Sequence, residues 1–243
     1  MNLVIDIGNT RTKSAIFNNN VITNQKTFDD FKVSDIEKLL QLFPEIDKCI
    51  LSKVGQSDES LVDYIQHALP EFIELTGNTP VPFNNQYESK STQGADRIAA
   101  VAGAQLIFPA SDVLIIDAGT TITYDFLSAS GAYKGGNISP GIDIRFQALH
   151  TFTQNLPLLN KNENRNDLGV NTIQAIESGV QNGVIYEIEG YLNSLQKKFK
   201  NLKIIFTGGD AEFLANKFKN IIFVESNLVL IGLNSILEYN VGK

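Results

Sequence analysis

Hydrophobic residues in this chain gather in short unbroken runs that stop at polar turns, and one such run appears once in each half. Leu3-Val4-Ile5-Asp6-Ile7-Gly8-Asn9-Thr10 aligns with Leu114-Ile115-Ile116-Asp117-Ala118-Gly119-Thr120-Thr121, with five of the eight positions identical. Each copy reads as a buried strand, a glycine turn open to positive φ and close backbone approach, and then a second strand, Lys13 to Phe17 or Ile122 to Leu127. The repetition marks an internal duplication. Around the first copy the pattern predicts strands at Asn2 to Asp6, Thr12 to Phe17, Val21 to Thr27, Cys49 to Lys53 and Glu71 to Leu75. Helices fall near Ser34 to Leu42 and Ser57 to Leu69, the second with a Ser57 cap. Around the second copy it predicts strands at Asp112 to Asp117, Thr121 to Leu127, Ala132 to Gly135, Lys203 to Thr207 and Ile221 to Val224, with helices interposed.

Three antiparallel strands followed by helix-flanked parallel ones, twice over, is the plan of the duplicated actin-like ATPase (ribonuclease H-like) fold. It implies two lobes, residues 1–110 and 111–243, with a nucleotide cleft between them. At 243 residues the chain is long enough to give each lobe a core of its own. A longer helical pattern begins at Thr172, where Ile173, Ile176, Val180, Val184, Ile188, Leu192, Leu195 and Phe199 recur three or four apart. That stripe runs for ~40 Å at about 1.5 Å per residue. Core packing and a subunit interface both account for it.

Composition narrows the classes. A net charge of −7 without a cluster of Lys and Arg argues against a nucleic-acid surface. No apolar run reaches the roughly 18 residues of a membrane helix, and the chain starts on a strand, so no membrane association and a cytoplasmic location are expected. The single cysteine, Cys49, excludes a disulfide framework and reads as a small buried hydrophobe in the strand Lys48 to Val54. His67 and His150 read as surface or packing residues. Asn137-Ile138-Ser139 fits a glycosylation acceptor by chance alone.

The candidate chemistry sits in the turns. Backbone N–H groups at Gly8, Asn9 and Thr10 make a concave donor set for phosphate oxygens, and an Asp at the strand end can hold a metal ion or its waters. The turn is not a P-loop, having no Gly-x4-Gly-Lys-Ser/Thr and feeding a strand. A second segment, Gly94-Ala95-Asp96-Arg97, precedes a helix of small residues, Ala99, Ala100, Ala102, Gly103 and Ala104. Asp96 there either answers the helix dipole or accepts a hydroxyl proton, with Arg97 supplying charge to a carboxylate or phosphate.

Taken in order and spacing, these motifs resemble the type III pantothenate kinases. Asp6 to Thr10 looks like that family's first phosphate turn, Gly94 to Arg97 its acceptor motif, and Ile116 to Thr120 its second turn. Further similarity lies in Gly135 to Gly141, Thr172 to Gly179 and Thr207-Gly208-Gly209. The resemblance implies transfer of the ATP γ-phosphoryl group to the primary hydroxyl of pantothenate, the first step toward coenzyme A. It implies ATP binding by Asp6, Ile7, Gly8, Asn9, Thr10, Arg11, Thr12, Lys13 and Thr120, with Mg²⁺ near Asp6. Asp96 becomes the proton acceptor, and Tyr87, Gly94, Ala95, Asp96 and Arg97 contact pantothenate. Asp117 binds a monovalent cation, K⁺ or NH₄⁺, and Thr172 reaches the acceptor across a homodimer, which favours the interface for the long helix. Lys90 and Gln93 depart from the family's usual Pro and aliphatic residue. Another small-molecule kinase of the same fold, or a non-catalytic nucleotide-binding regulator, is the alternative.

Overall fold

In the computed structural model, residues 1–53, 59–163, 166–219 and 222–241 are described. Val54, the Ser57 cap and Ile221 lie outside them. The first sheet has the order β3-β2-β1-β4-β5. It is built from β1 (Asn2–Ile7), β2 (Thr12–Asn18), β3 (Val21–Phe28), β4 (Lys48–Lys53) and β5 (Glu71–Glu74). β1 runs antiparallel to β2 and parallel to β4. The second sheet, in the order β11-β10-β7-β8-β9-β6, contains β6 (Asn84–Asn85), β7 (Val113–Ala118), β8 (Thr121–Leu127), β9 (Ala132–Pro140), β10 (Lys203–Thr207) and β11 (Phe223–Val224). The order 9-8-7-10-11 repeats 3-2-1-4-5 strand for strand, so the duplication seen in two octapeptides extends over both sheets. The short β6, which pairs with the start of β9, is an addition the sequence pattern did not signal.

The helices are α1 (Val33–Leu42), α2 (Glu59–Ala68), α3 (Ala95–Ile107), α4 (Ile142–Phe152), α5 (Thr172–Gln196), α6 (Ala211–Ala215) and α7 (Leu228–Val241). α1 starts where the Asp35 carboxylate accepts the Lys32 backbone N–H. It buries Ile36 and Leu39 against Leu3, Ile5 and Ile16. α5 starts where the Asn171 side chain accepts the Gln174 N–H. Its stripe of Ile176, Val180, Val184, Ile188 and Leu192 is buried in one core with Leu114, Ile116, Phe146 and Phe206. The stripe therefore faces inward, which overturns its reading as an interface, and the regular pattern stops at Gln196, short of Phe199. Ile173, one turn before the core begins, stays half exposed.

The chain packs into two compact units. One holds residues 1–111, 125–135 and 227–243, the other residues 112–124 and 136–226. The units thus interleave along the sequence instead of following two continuous halves. One cause is α7, whose apolar residues Leu228, Leu230, Leu233, Ile236 and Leu237 are all buried and which packs on α3, β1 and β4 of the first unit. Gly103 and Gly232 set that crossing. A Cβ on Gly232 would lie 1.7 Å from the Ala99 carbonyl oxygen, and one on Gly103 would lie 2.4 Å from that of Leu228.

Cys49 is fully buried in β4, and burial pushes its thiol pKa up, as befits a packing residue. His67 and His150 each bond a backbone carbonyl near a helix end, those of Asp63 and Leu156. Among the described residues no helix is long and apolar enough to cross a membrane.

Candidate active site

In the first unit the site grows from strand register. Asp6 stands opposite Lys13 on β2 and beside Ser52 on β4, so the three side chains share one face of the sheet. Ile7 lies on the other face and packs into the core, and Thr12 is buried opposite it. Those two residues can serve a ligand only through the backbone. Between the strands, Gly8 to Arg11 form a four-residue turn closed by the Gly8 N–H donating to the Arg11 carbonyl at 3.1 Å. Gly8 has no positive φ, and its N–H is spent inside the turn, so the expected donor set shrinks to Asn9 and Thr10, both exposed. What Gly8 supplies is clearance: a Cβ would come within 3.1 Å of the Arg11 carbonyl oxygen. Arg11 itself reaches Asp29 at 3.4 Å in an exposed ion pair.

The Asp6 carboxyl is pushed up to about 6, mainly by burial. The Ser52 hydroxyl counteracts this, the charge of Asp96 adds to it, and Lys13 works against it. Neither Asp6 Oδ1 nor Ser52 Oγ has a partner of hydrogen-bond geometry among the described residues. A buried carboxylate oxygen left without a donor, flanked by a hydroxyl, is a donor set that suits a hard divalent cation or its water.

Asp96 sits in the first turn of α3, one residue after Ala95 opens the helix and two after its cap, Gly94. Its Oδ1 accepts the Arg97 N–H at 2.8 Å. A Cβ on Gly94 would fall 2.4 Å from that oxygen, so glycine there is what lets the carboxylate fold back over the helix start. Arg97 turns the other way, into the unit. Its side chain is 5% exposed, and its partner Asp125 on β8 is 0% exposed. Nε donates to Asp125 Oδ1 at 3.0 Å, and Nη2 donates to the same oxygen at 2.6 Å and to Tyr133 Oη at 3.0 Å. Tyr133 in turn donates to Asp125 at 2.6 Å. Burial works against the Arg97 charge, but Asp125 more than offsets it, and the guanidinium pKa is raised. The Tyr87 ring stacks on Tyr133 at 6.1 Å and lies under the guanidinium at 5.4 Å. Asp125 and Tyr133 were missed in the sequence. The available signal was a charge inside the apolar strand Thr121 to Leu127, since a buried carboxylate demands a partner.

The two departures lie in one loop, where the Gln93 Nε2 is buried with no hydrogen-bond partner among the described residues. Lys90–Thr92 forms a single 3₁₀ turn whose Lys90 carbonyl lies against Gly77, where a Cβ would be only 1.7 Å away. Gln93 accepts from Asn85 Nδ2 at 2.9 Å, while Asn85 Oδ1 accepts the Tyr87 N–H at 3.1 Å. A polar latch thus holds the backbone of Tyr87.

In the second unit Asp117, one residue before the end of β7, stands opposite Thr207. The turn to β8 has only two residues, Gly119 and Thr120, against four in the first copy. Two glycines press on it. Gly141 donates its N–H to the Thr120 carbonyl, and a Cβ there would lie 2.2 Å from the Gly119 carbonyl oxygen. Gly208, at φ +91, comes so near that its Cβ would lie 2.4 Å from Asp117 Oδ1 and 2.3 Å from the Ala118 carbonyl oxygen. Two oxygens converging on one glycine suit a cation held by carboxylate and carbonyl. Thr172, at the start of α5, edges an apolar groove of about 840 Å³ whose wall includes Phe152, Leu149, Ala175 and Gly179. Phe152 is 86% exposed.

Duplicated strand-turn-strand elements, each with an Asp at the strand end, together with a second Asp and a buried Arg at a helix start, define a phosphotransferase of the actin-like ATPase fold. Solved structures agree on that fold. A Baf family protein from Campylobacter jejuni superposes with a TM-score of 0.67 at 25% identity over 99% of this chain and 100% of that one. The activator of 2-hydroxyisocaproyl-CoA dehydratase from Clostridium difficile, solved with ADPNP bound, does so with a TM-score of 0.53 at 16% identity over 98% and 93%. In sequence, the type III pantothenate kinase family profile matches residues 2–194. The type III pantothenate kinase of Christiangramia forsetii is 45% identical over 99% of both chains. The chain belongs to the type III pantothenate kinase family.

Proposed function

We propose that this enzyme transfers the γ-phosphoryl group of ATP to the primary hydroxyl of pantothenate, giving 4′-phosphopantothenate at the first step of coenzyme A biosynthesis. The observation that carries the residue roles is the approach of two carboxyl groups from different elements. Asp96 at the start of α3 lies near enough to Asp6 at the end of β1 for its charge to raise the Asp6 pKa. One carboxylate then takes the hydroxyl proton while the other serves the metal-bound phosphates.

Asp96 accepts the acceptor hydroxyl proton, and Gly94 and Ala95 leave room for the acceptor beside it. Arg97 and Tyr87 hold the acceptor's polar end. Asp6 would hold Mg²⁺, whose charge, when bound, neutralises the phosphate oxygens. Asn9, Thr10 and Lys13 supply donors and charge to those oxygens, Gly8 gives them clearance, and Ile7, Arg11 and Thr12 shape the turn through its backbone. Thr120 donates from the second turn, and Asp117 would hold the monovalent cation, K⁺ or NH₄⁺. Since the transition state of phosphoryl transfer is loose, in-line positioning and charge neutralisation are the main demands on these residues.

A homodimer belongs to the same reading. With the α5 stripe inside the core, the surface that fits a second copy is the groove around Phe152, and Thr172 on its edge completes the acceptor site of the partner. An ADP-release assay with pantothenate and Mg-ATP, with and without K⁺, tests the function. Turnover should require pantothenate and rise with the cation. Asp96→Asn should keep the fold and lose ~10²- to 10⁴-fold in kcat. Turnover that ignores pantothenate, or a near-normal kcat in that variant, overturns the reading.

A further inference from the structure

The Arg97 guanidinium spends one whole edge inside the protein. Its hydrogen bonds to Asp125 and Tyr133 all leave from Nε and Nη2, and none of them uses Nη1. Asp125 is fully buried, and Tyr133 Oη closes the triangle by accepting from Arg97 and donating to Asp125. The Tyr87 ring covers the guanidinium face. A side chain with several rotatable bonds is thereby held in one rotamer before any ligand arrives, and its charge is already balanced.

Resting on the function proposed above, we propose that Asp125 and Tyr133 are positioning residues for acceptor specificity. They clamp the Nε and Nη2 edge of Arg97 so that its Nη1 side, beside Tyr87, is the one turned to the acceptor. The consequence is chemical. A fork that could grip any carboxylate or phosphate in two-point fashion is reduced to a single-nitrogen donor of a neutral ion pair. Such a donor reads the direction of one oxygen and gives little reward to surplus negative charge. The site therefore takes a monoanionic or neutral polar end and discriminates against phosphorylated analogues of similar length.

The test separates positioning from structure. Tyr133→Phe removes one hydroxyl and leaves both buried charges paired. It should raise KM for pantothenate about 3- to 10-fold, the worth of one hydrogen bond, while KM for ATP stays unchanged and kcat stays within about 2-fold. In a background where Arg97→Gln and Asp125→Asn are combined, which leaves no unpaired buried ion, KM for pantothenate should already be raised. Adding Tyr133→Phe there should then change it no further, because its effect passes through the guanidinium. An unchanged KM in Tyr133→Phe, with only a lower melting temperature, overturns the positioning role and leaves the proposed function standing. The same holds for an equal added effect of Tyr133→Phe in both backgrounds. If the neutral pair itself leaves KM for pantothenate untouched, Arg97 does not hold the acceptor, and the assignment beneath this inference falls with it.

Discussion

Asp6 carries the sharpest residue-scale consequence. Its carboxyl has a pKa near 3.8 in the unfolded chain and is pushed up to about 6 in the fold, chiefly by burial. The folded protein thus favours the protonated form. Stability from this group is fully present below pH 3.8 and is lost as the pH climbs through 6, by up to about 3 kcal/mol. Above that range the ionised group is a cost that a divalent cation bound there would offset. Asp6→Asn should therefore flatten the pH dependence of ligand-free stability between pH 4 and 7 and make the apoprotein more stable than the parent above pH 6. It should also cripple metal-dependent ATP use. Urea unfolding across that range checks the first two, and the ADP-release assay with Mg²⁺ titrated in checks the third. Equal pH slopes in parent and variant would show that Asp6 is not strained by burial. Arg97 illustrates the opposite balance, a buried charge fully compensated at no expense in pH sensitivity near neutrality.

At the scale of elements, the contrast between two glycine settings is testable. Gly232 on α7 meets the backbone of Ala99 on α3, which cannot move aside as a side chain could. Gly232→Ala should lower stability by about 1–3 kcal/mol even after the ~1 kcal/mol gained in helix propensity. Gly190 on α5 faces open space, and Gly190→Ala should stabilise by about 0.5–1 kcal/mol. Chemical denaturation of the two variants reads both signs. The same elements show what the sequence disclosed. The strands around Asp6 and Asp117 were legible because short β-branched runs bounded by Gly and Asn admit few alternatives. Asp96 was legible because a helix of small residues has a visible start. Three things were not. The Gly8 turn looked like a positive-φ turn because glycine permits that conformation without requiring it. The α5 stripe has one periodicity whether it faces a core or a partner. Asp125 is paired with an arginine 28 residues away, a contact that only the β8 strand brings about.

For the whole molecule, assembly becomes a question about one aromatic ring. If the groove around Phe152 seats a second copy, Phe152→Glu should give monomers that keep their melting temperature, since the side chain is outside the core, and activity should fall with dimer content. Sedimentation equilibrium run beside the kinase assay measures both. Mixing Asp96→Asn chains with Thr172→Ala chains adds the decisive arm, because a mixed dimer regains one intact site and should exceed either parent in activity. Full activity in a proven monomer would end the shared-site reading.

The interleaved units impose an order in time as well as in space. β1 carries Asp6 and is made well before α7, yet the face of β1 that holds Asn2 packs against α7. The Asn2 side chain bonds Asn234 at 2.8 Å and Glu238 at 2.6 Å. The second unit has all its residues in hand by Ser226. The first unit must wait with an apolar strand uncovered until α7 is made. Synthesis therefore reverses the order suggested by the sequence: the unit that holds β1 closes after the unit that holds β7, once α7 has been made.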